Sequence, residues 1–393
     1  MPVVESGDFL WVFLVPALNE EVTIADSVGR LLTVEAANRA IVVINDGSTD
    51  GTGAVLAAID HPDLVVLERV APEAQKGKAA ALNAAWVHLD GLLSSGRWAG
   101  WPREQVIVVV VDADGRLDSS TPAFVAARFG NARVGGVQVL VRIYNRSRLL
   151  AWFQDVEFSV YGFLYQLGRS ASGSAGMGGN GQCNRLTALD SIADPESGGP
   201  WRTRLTEDQD LGLRLLKAGW LGEQEPRVSV HQQGLPGLRK LFRQRTRWAQ
   251  GNLEAMDQIG AMGSLDRPWY VRFDQTAYLL LPLIHVVVGV SFVASIVLAV
   301  ADSVTFWGDN GWWVLIVFFM FGYGGVLLGC IARGAQWGFL GVVRGILLTP
   351  FYAAYTWLLW PVLVRAGVRM LARRRDWAKT AREPLSESPG SAA

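Results

Sequence analysis

Residues 105–114 read QVIVVVVDAD, an apolar run that ends in two aspartates. A nearly continuous Val/Ile run is typical of a strand in a parallel sheet that is buried on both faces. Four other runs share this character, and they lie at Leu10–Val15, Arg39–Asn45, Leu64–Leu67 and Val134–Val141. Apolar residues at helical spacing separate several of them. This alternation predicts an α/β sheet with right-handed crossovers, in which ligands bind beyond the carboxyl ends of the strands.

Polar residues follow the predicted strands at those carboxyl ends. The first strand continues into Pro16, Asn19 and Glu20, and the second ends at Asp46. Ile24, Val28 and Leu31 recur at helical spacing, and we expect Asn19 to be the N-cap of this helix, with Glu20 and Glu21 in its first turn. Asp46 taken alone is a turn former, because Gly47 follows it.

Asp112 and Asp114 end the fourth strand, and their two-residue spacing places both side chains on one side of an extended segment. Two neighbouring carboxylates repel each other unless a cation lies between them, and hard oxygen ligands suit Mg²⁺ or Mn²⁺. Such a metal can bridge a diphosphate and stabilise it as a leaving group. The alternative is an ordinary polar turn at a strand end.

The overall composition limits the class of protein. The chain has 393 residues, of which 50% are hydrophobic and 18% charged, and its mean hydropathy is +0.22. These values exclude a disordered chain and differ from an average soluble domain, which is about 25% charged. The 36 basic and 36 acidic residues balance, so a nucleic-acid partner is not expected. Cys183 and Cys330 stand far apart, which argues against a disulfide framework or a zinc site.

The excess of apolar residues lies in the last third of the chain. Residues 277–301 contain no Asp, Glu, Lys or Arg, and as a helix they extend about 37 Å, enough to cross a hydrocarbon core of about 30 Å. Similar runs cover 312–332 and 334–364, the last interrupted by Pro350. We therefore expect an α-helical transmembrane region, with a buried helical core as the alternative. Basic residues flank all three runs, so the positive-inside rule leaves the side of the C-terminus open.

The N-terminal part shows no such segment. Phe9–Val15 is too short to span a bilayer and is followed by Pro16, and no basic region of a signal peptide precedes it. We expect an integral protein of the plasma membrane whose catalytic domain lies in the cytoplasm.

Two further motifs follow the sheet region. Thr206-Glu207-Asp208 opens a helical pattern, where Thr206 can cap and the acidic residues suit a helix N-terminus. Residues 237–256 form an amphipathic pattern that is typical of a helix at a membrane surface. Its apolar stripe lies largely opposite five basic residues, which are Arg239, Lys240, Arg243, Arg245 and Arg247. Within it, residues 244–248 read QRTRW.

The ordered combination of these motifs resembles the membrane-bound family 2 glycosyltransferases, which include cellulose, chitin, hyaluronan and poly-N-acetylglucosamine synthases. The resemblance extends over about residues 10–380, including the tail at 375–382. It rests on these groups: Pro16/Asn19/Glu20, Asn45–Ser48, Gly77-Lys78 with Ala81-Leu82-Asn83, Asp112/Asp114, Thr206–Asp208 and Gln244/Arg247/Trp248.

The resemblance implies a GT-A (Rossmann-like) fold, a UDP-sugar donor and a role for each motif. Pro16, Asn19, Glu20 and Asp46 would hold the uridine, and Lys78 would lie near the nucleotide. Asp112 and Asp114 would bind the diphosphate and its Mg²⁺ or Mn²⁺, Asp114 more directly. Glu207 and Asp208 belong to the catalytic motif, and Asp208 would be the general base. Arg247 would face the pyrophosphate, Gln244 the donor sugar and Trp248 the acceptor; Asn180 and Gln182 would line the pocket.

A single base implies direct displacement, so an α-linked donor would give a β-linked product. The first hypothesis is a processive enzyme that extends and extrudes a polysaccharide. The alternatives are a single transfer to a membrane lipid and, in another class, an inactive nucleotide-binding membrane subunit. With few membrane passes, extrusion would call for a homo-oligomer or an accessory subunit.

The chain then divides into a catalytic domain at 1–235, interface helices at 236–275, transmembrane helices at 276–366 and a basic, partly disordered tail at 367–393. Residues 176–181 satisfy GxGxxG, but they follow a helical pattern at 149–167 rather than a strand, so we do not expect a dinucleotide site.

Overall fold

The five Val/Ile-rich runs all form strands, which confirms that part of the sequence interpretation. The computed structural model describes residues 4–301 and 323–373, and within them the chain divides into two compact units. The first unit comprises residues 4–145 and 166–234, and the second comprises 146–165, 235–301 and 323–373. The sequence-based division placed 146–165 in the catalytic domain, whereas these residues pack with the second unit.

The first unit is built on a single sheet of eight strands in the described residues. The strands are β1 Leu10–Ala17, β2 Arg39–Asp46, β3 Leu64–Arg69, β4 Val106–Val110, β5 Arg116–Leu117, β6 Val134–Ile143, β7 Gln182–Arg185 and β8 Leu221–Gln232. Their order is β3-β2-β1-β4-β7-β6-β8-β5. β1, β2, β3 and β4 are parallel, but β7 pairs antiparallel with both β4 and β6. The expected parallel sheet is therefore correct for one half and wrong for the other, where the sheet is mixed.

Helices cover both faces of this sheet. They are α1 Ile24–Leu32, α2 Thr52–Ala57, α3 Lys78–Ser94, α4 Thr121–Phe129, α6 Leu167–Ser170, α7 Leu186–Ser191 and α8 Glu207–Lys217; α5 belongs to the second unit. Along β1, Trp11 and Phe13 enter the core on one face, while Val12 and Leu14 enter the core on the other. Burial on both sides explains why the strands read as continuous apolar runs, since each fully buried large side chain contributes about 1.5–3 kcal/mol.

The first helix begins later than the sequence pattern predicted. Residues 21–23 form a turn, and α1 begins at Ile24 after Thr23. Asn19 is not the N-cap: its backbone adopts φ +53°, and its Oδ1 accepts a hydrogen bond from the Thr49 N–H at 2.7 Å. The side chain thus connects the loops after β1 and β2 instead of capping α1.

The second unit is helical in its described residues. Its helices are α5 Leu149–Val160, α9 Leu238–Glu254, α10 Ile259–Gly263, α11 Trp269–Val300, α12 Gly325–Ala335, α13 Gly338–Leu359 and α14 Pro361–Leu371. By length and composition, 269–291 and 338–371 can cross a membrane. Only 22% of the most apolar window of each is buried. Their apolar side chains are therefore more exposed than those of an ordinary core helix.

Two details of the apolar region differ from expectation. The helix does not end at Pro350, where the apolar run is interrupted in the sequence, since α13 continues through it to Leu359 and the break comes at Pro361. A proline at N1 costs no helical hydrogen bond, which explains why a new helix begins there. The expected span at 312–332 lies partly outside the described residues, and its last part forms most of α12. The tail signature at 375–382 also lies outside them.

Candidate active site

The carboxyl ends of β1, β2 and β4 bring the predicted polar residues of the first unit to one edge of the sheet. Leu14 of β1 pairs with Val110 of β4, so Asp112 and Asp114 extend just beyond this edge. Asp114 is buried, and its Oδ2 accepts a hydrogen bond from the Gln233 N–H at 3.1 Å. Gln233 directly follows β8, so the end of that strand holds the second aspartate of the pair.

Lys78 connects this pair to the Thr206–Asp208 motif. Its Nζ lies 2.6 Å from Asp112 Oδ1 and 3.8 Å from Glu207 Oε1. Burial disfavours the ammonium, but the carboxylates of Asp112 and Glu207 outweigh it and raise the pKa of Lys78 above its usual range. Lys78 therefore carries a fixed positive charge between the two acidic motifs.

Asp208 lies in the first turn of α8. Burial, helped by the neighbouring Glu207 carboxylate, raises the pKa of Asp208 to about 7, and the Lys78 ammonium opposes this rise. A carboxylate with a pKa near the working pH suits general-base catalysis. Thr206 occupies the N-cap position, but its side chain makes no capping bond and instead donates to Gln209 Oε1 at 3.1 Å.

The glycine-rich loop before β7 contacts Asp208 rather than forming a dinucleotide site. Gly179 adopts φ +69°, and a Cβ at this position would lie 2.8 Å from Asp208 Oδ2. Only a residue without a side chain allows the loop so close to the carboxylate. The loop therefore forms one wall around Asp208.

Asn180, in the same loop, is bound at both ends of its amide. Its Oδ1 accepts a hydrogen bond from the Asp112 N–H at 3.1 Å, and its Nδ2 donates to Gln232 Oε1 at 3.0 Å. Gln138 also holds the loop in place. Its Oε1 accepts a hydrogen bond from the Gly178 N–H at 2.8 Å, and its Nε2 donates to the Asn180 carbonyl at 2.8 Å. The described contacts thus make Asn180 a support of the aspartate pair; its contact with an acceptor stays a prediction.

Gln182 lies in the interior of the first unit. It is the first residue of β7, is fully buried, and neither polar atom of its side chain has a hydrogen-bond partner in the described part of the chain. Its predicted role in acceptor binding stays a prediction.

The residues that are predicted to bind uridine lie at the ends of β1 and β2 or in the loop after β1. Pro16 pairs with Ile44 across β1 and β2, and the Glu20 N–H donates to Thr52 Oγ1 at 2.8 Å. Asp46 is buried, where Arg69 donates to its Oδ1 and the Gln75 N–H donates to the same oxygen at 3.1 Å. Asp46 therefore holds the loop after β3, and its contact with a nucleotide stays a prediction.

The aspartate pair fits a hard divalent cation in its donor chemistry. The described residues contain no cluster of three or more His, Cys, Asp or Glu side chains that would form a metal cage. Mg²⁺-type ions are commonly held by one or two carboxylates together with substrate phosphates, which is the donor set that Asp112 and Asp114 offer. His231 lies outside this set, since its Nε2 is 2.9 Å from Ser229 Oγ and 3.4 Å from Asp118 Oδ1.

The QRTRW segment lies in α9 of the second unit. The roles of Gln244, Arg247 and Trp248 toward donor and acceptor stay predictions. Arg245 contradicts the sequence pattern, because it is buried at 6% exposure instead of lying on the polar face. Its Nη2 donates to Glu157 Oε2 of α5 at 2.7 Å. An internal ion-pair partner that is 88 residues away explains why helical periodicity alone misassigned it.

Sequence reasoning also missed several supporting residues: Arg69, Gln138 and Gln233. Gln138 had a visible signal, since it interrupts an apolar strand run. The other two act through partners distant in sequence, which no local pattern reveals.

Comparison with known proteins agrees with these features. Residues 11–251 match the family model described as Glycosyltransferase like family 2. The chain is 34% identical over 248 residues to a beta-monoglucosyldiacylglycerol synthase of Nostoc sp., an alignment that covers 61% of this chain and 48% of that one. It is 28% identical over 247 residues to a poly-beta-1,6-N-acetyl-D-glucosamine synthase of Staphylococcus epidermidis, covering 62% and 55%. The chain thus spans about half the length of these relatives.

A solved structure supports the fold. A mannosyltransferase from Pyrobaculum calidifontis, solved with GDP-Man and Mn²⁺, superposes with a TM-score of 0.58 at 19% identity, covering 93% of this chain and 88% of that one. The expected GT-A fold is therefore confirmed, with the mixed sheet described above. Because the family model matches more than half of its length, this chain belongs to glycosyltransferase family 2.

Proposed function

We propose that the protein transfers a sugar from a UDP-sugar to a hydroxyl group of a membrane-associated acceptor, with inversion at the anomeric carbon. The observation that carries this proposal is the charged cluster in which Lys78 pairs with Asp112 and Glu207. Asp208 follows Glu207 directly, and burial raises its pKa to about 7. Its neighbours are those expected around a departing nucleoside diphosphate.

In the proposed reaction, Asp208 accepts the proton of the acceptor hydroxyl as the oxygen attacks the anomeric carbon. The bond from that carbon to the diphosphate oxygen breaks in the same step, and UDP leaves. Glu207 is paired with Lys78, and we assign Asp208 as the single base, so the reaction is a single displacement. An α-linked donor then gives a β-linked product.

Asp112 and Asp114 would hold Mg²⁺ or Mn²⁺ on the diphosphate. The cation would supply charge that stabilises the leaving group. Lys78 adds a fixed positive charge to this side of the site, and Asn180 and Gln233 keep the two aspartates in position. Pro16, Asn19, Glu20 and Asp46 are assigned to the uridine by resemblance.

The acceptor of the first proposal is a growing polysaccharide. Gln244, Arg247 and Trp248 support it, since this set accompanies the processive members that the sequence resembles. The two apolar helices support attachment to the plasma membrane, with the first unit in the cytoplasm and the polymer extruded, by a homo-oligomer or with an accessory subunit. A diacylglycerol-type lipid is the second candidate, because the relative of 34% identity is named as a lipid glucosyltransferase.

The test incubates the purified protein in lipid nanodiscs with a panel of UDP-sugars and Mg²⁺ or Mn²⁺. Released UDP and product mass are measured with oligosaccharides or dioleoylglycerol as acceptors. A ladder of long products supports the polymer, whereas a single-sugar lipid supports the second candidate. UDP binding without hydrolysis or transfer of any sugar would overturn both in favour of an inactive nucleotide-binding subunit.

A further inference from the structure

A partly buried ion pair between α9 and α5 lies in the helical unit, beside Trp248. Arg245 of α9 donates through Nη2 to Glu157 Oε2 of α5 at 2.7 Å. The Tyr355 hydroxyl of α13 donates to the same oxygen at 2.9 Å. Three helices therefore meet at one carboxylate oxygen. Arg245 is 6% exposed, whereas Arg243 on the same helix is exposed.

Aromatic rings enclose the guanidinium. Its central carbon lies 4.1 Å from the centroid of the Trp248 ring and 5.5 Å from that of Phe158. Phe158 also meets Trp248 edge-on, at 6.0 Å between centroids and 70° between planes. The indole of Trp248 is thus held on one side by a cation and on another by a ring edge.

Two nitrogens of Arg245 have no hydrogen-bond acceptor among the described residues. Nε and Nη1 are both buried without a partner in the described residues. Leaving such donors unpaired costs about 1–3 kcal/mol, unless another interaction offsets it. The π faces of the two rings are the electron-rich groups within reach, and a guanidinium stacks on such faces better than an ammonium does.

We infer that Arg245 is a positioning residue that fixes the ring of Trp248 in the orientation that receives the acceptor sugar. Glu157 anchors the guanidinium, and Tyr355 anchors Glu157, so the apolar helix α13 contributes to the orientation of the indole. The inference rests on the proposed function, because it takes Trp248 as the surface on which the acceptor stacks. Arg245 itself touches neither sugar nor nucleotide.

The alternative is that the ion pair only stabilises the helical unit. A buried ion pair is often replaceable by apolar groups of similar volume without loss of stability. The substitution Arg245→Met combined with Glu157→Gln therefore removes the charges but keeps the packing. If the ion pair only stabilises the helical unit, this double variant should keep its function. If Arg245 positions Trp248 by stacking, the double variant should lose that positioning.

The experiment uses the full chain in nanodiscs, with the UDP-sugar and the acceptor that the panel above identifies. The test variants are Arg245→Met, the Arg245→Met/Glu157→Gln pair and Arg245→Lys. Arg243→Met is the matched control, since it removes the same charge from an exposed position of α9. The KM for acceptor, the Kd for UDP and the midpoint of thermal unfolding are measured for each.

We expect Arg245→Met to raise the acceptor KM about tenfold, a loss between those of an exposed and a desolvated cation–π contact, while the Kd for UDP stays unchanged. Arg245→Lys should recover part of this loss, and Arg243→Met should behave as the parent. In a cycle with Trp248→Ala, which by itself weakens acceptor use, adding Arg245→Met should cause no further loss, because Arg245 acts through the indole.

Two results would overturn the inference. One is additive losses in the cycle, and the other is an acceptor KM for Arg245→Met that matches the control. If the double variant unfolds at a lower temperature, Arg245→Lys and the cycle with Trp248→Ala still distinguish positioning of Trp248 from stabilisation of the helical unit. Failure of the proposed function itself looks different, since the unaltered protein would then transfer no sugar at all.

Discussion

The two units use the same kinds of charged residue in opposite ways. In the first unit, Lys78 and Asp112 keep 24% and 29% of their side chains exposed at the end of the sheet. In the second unit, Glu157 is as exposed as Asp112, at 30%, but the Arg245 side chain is 7% exposed and lies against two aromatic rings. A partly exposed cation can exchange its partner for a ligand, whereas a buried cation can only hold its neighbours. The comparison therefore separates groups suited to chemistry from groups suited to positioning.

Replacing the proposed base should give the largest effect. Asp208→Asn keeps the shape of the side chain but cannot accept a proton, so we expect the transfer rate to fall about 10²–10⁴-fold. UDP should still bind, because Lys78, Asp112 and Asp114 are unchanged. Radiolabelled sugar transfer and calorimetric UDP titration measure the two effects. Normal turnover in this variant would remove Asp208 from the mechanism.

Replacing Lys78 should give the next largest effect. We expect kcat/KM to fall about 100-fold, which is typical of losing a charge at a developing anion. Lys78→Met leaves Asp112 and Glu207 without their shared cation, which weakens the donor site. Lys76→Met is the control, since Lys76 is exposed and pairs only at the surface with Glu73, at 2.8 Å. Equal kcat/KM for Lys78→Met and Lys76→Met would contradict a role of Lys78 in the donor site.

The pH profile tests the same cluster without altering its residues. Asp208 must be ionised to act as a base, and its pKa is raised to about 7. We expect kcat/KM to rise about tenfold per pH unit below 7 and to level off above it. Glu207 raises this midpoint and Lys78 lowers it, so Lys78→Met should move the midpoint to higher pH. A midpoint near 4 would show that the raised pKa does not govern the reaction.

The first unit could be predicted from the sequence further than the second. Buried strands read as apolar runs because both faces are covered, and the polar residues at their ends stood out against them. β7 could not be found this way, since Gln182–Arg185 is short and mostly polar, and its antiparallel pairing depends on a loop. In α9 the helical pattern was correct, but Arg245 was misassigned because a distant Glu157 makes its burial tolerable.

A smaller effect is expected for the support of the aspartates. Asn180→Ala removes the acceptor of the Asp112 N–H, so we expect Mn²⁺ in the presence of UDP to bind about tenfold more weakly, as for one lost hydrogen bond. Electron paramagnetic resonance of Mn²⁺ measures this binding directly. Asn131→Ala is the control, because Asn131 is an exposed amide of the same unit. Equal Mn²⁺ affinity in both would limit Asn180 to folding the loop.

The smallest effect lies in the helical unit. Tyr355→Phe removes one hydrogen bond to Glu157 but keeps the ring that stacks on Phe153 at 5.2 Å between centroids. Since Glu157 keeps the Arg245 guanidinium and 30% of its side chain stays exposed, we expect the acceptor KM to rise only about threefold. Tyr352→Phe is the control, because its hydroxyl has no hydrogen bond to Glu157 in the described residues. A larger loss for Tyr355→Phe than for Arg245→Met would reverse the order of anchors and make the apolar helix, not the cation, the main support of Trp248.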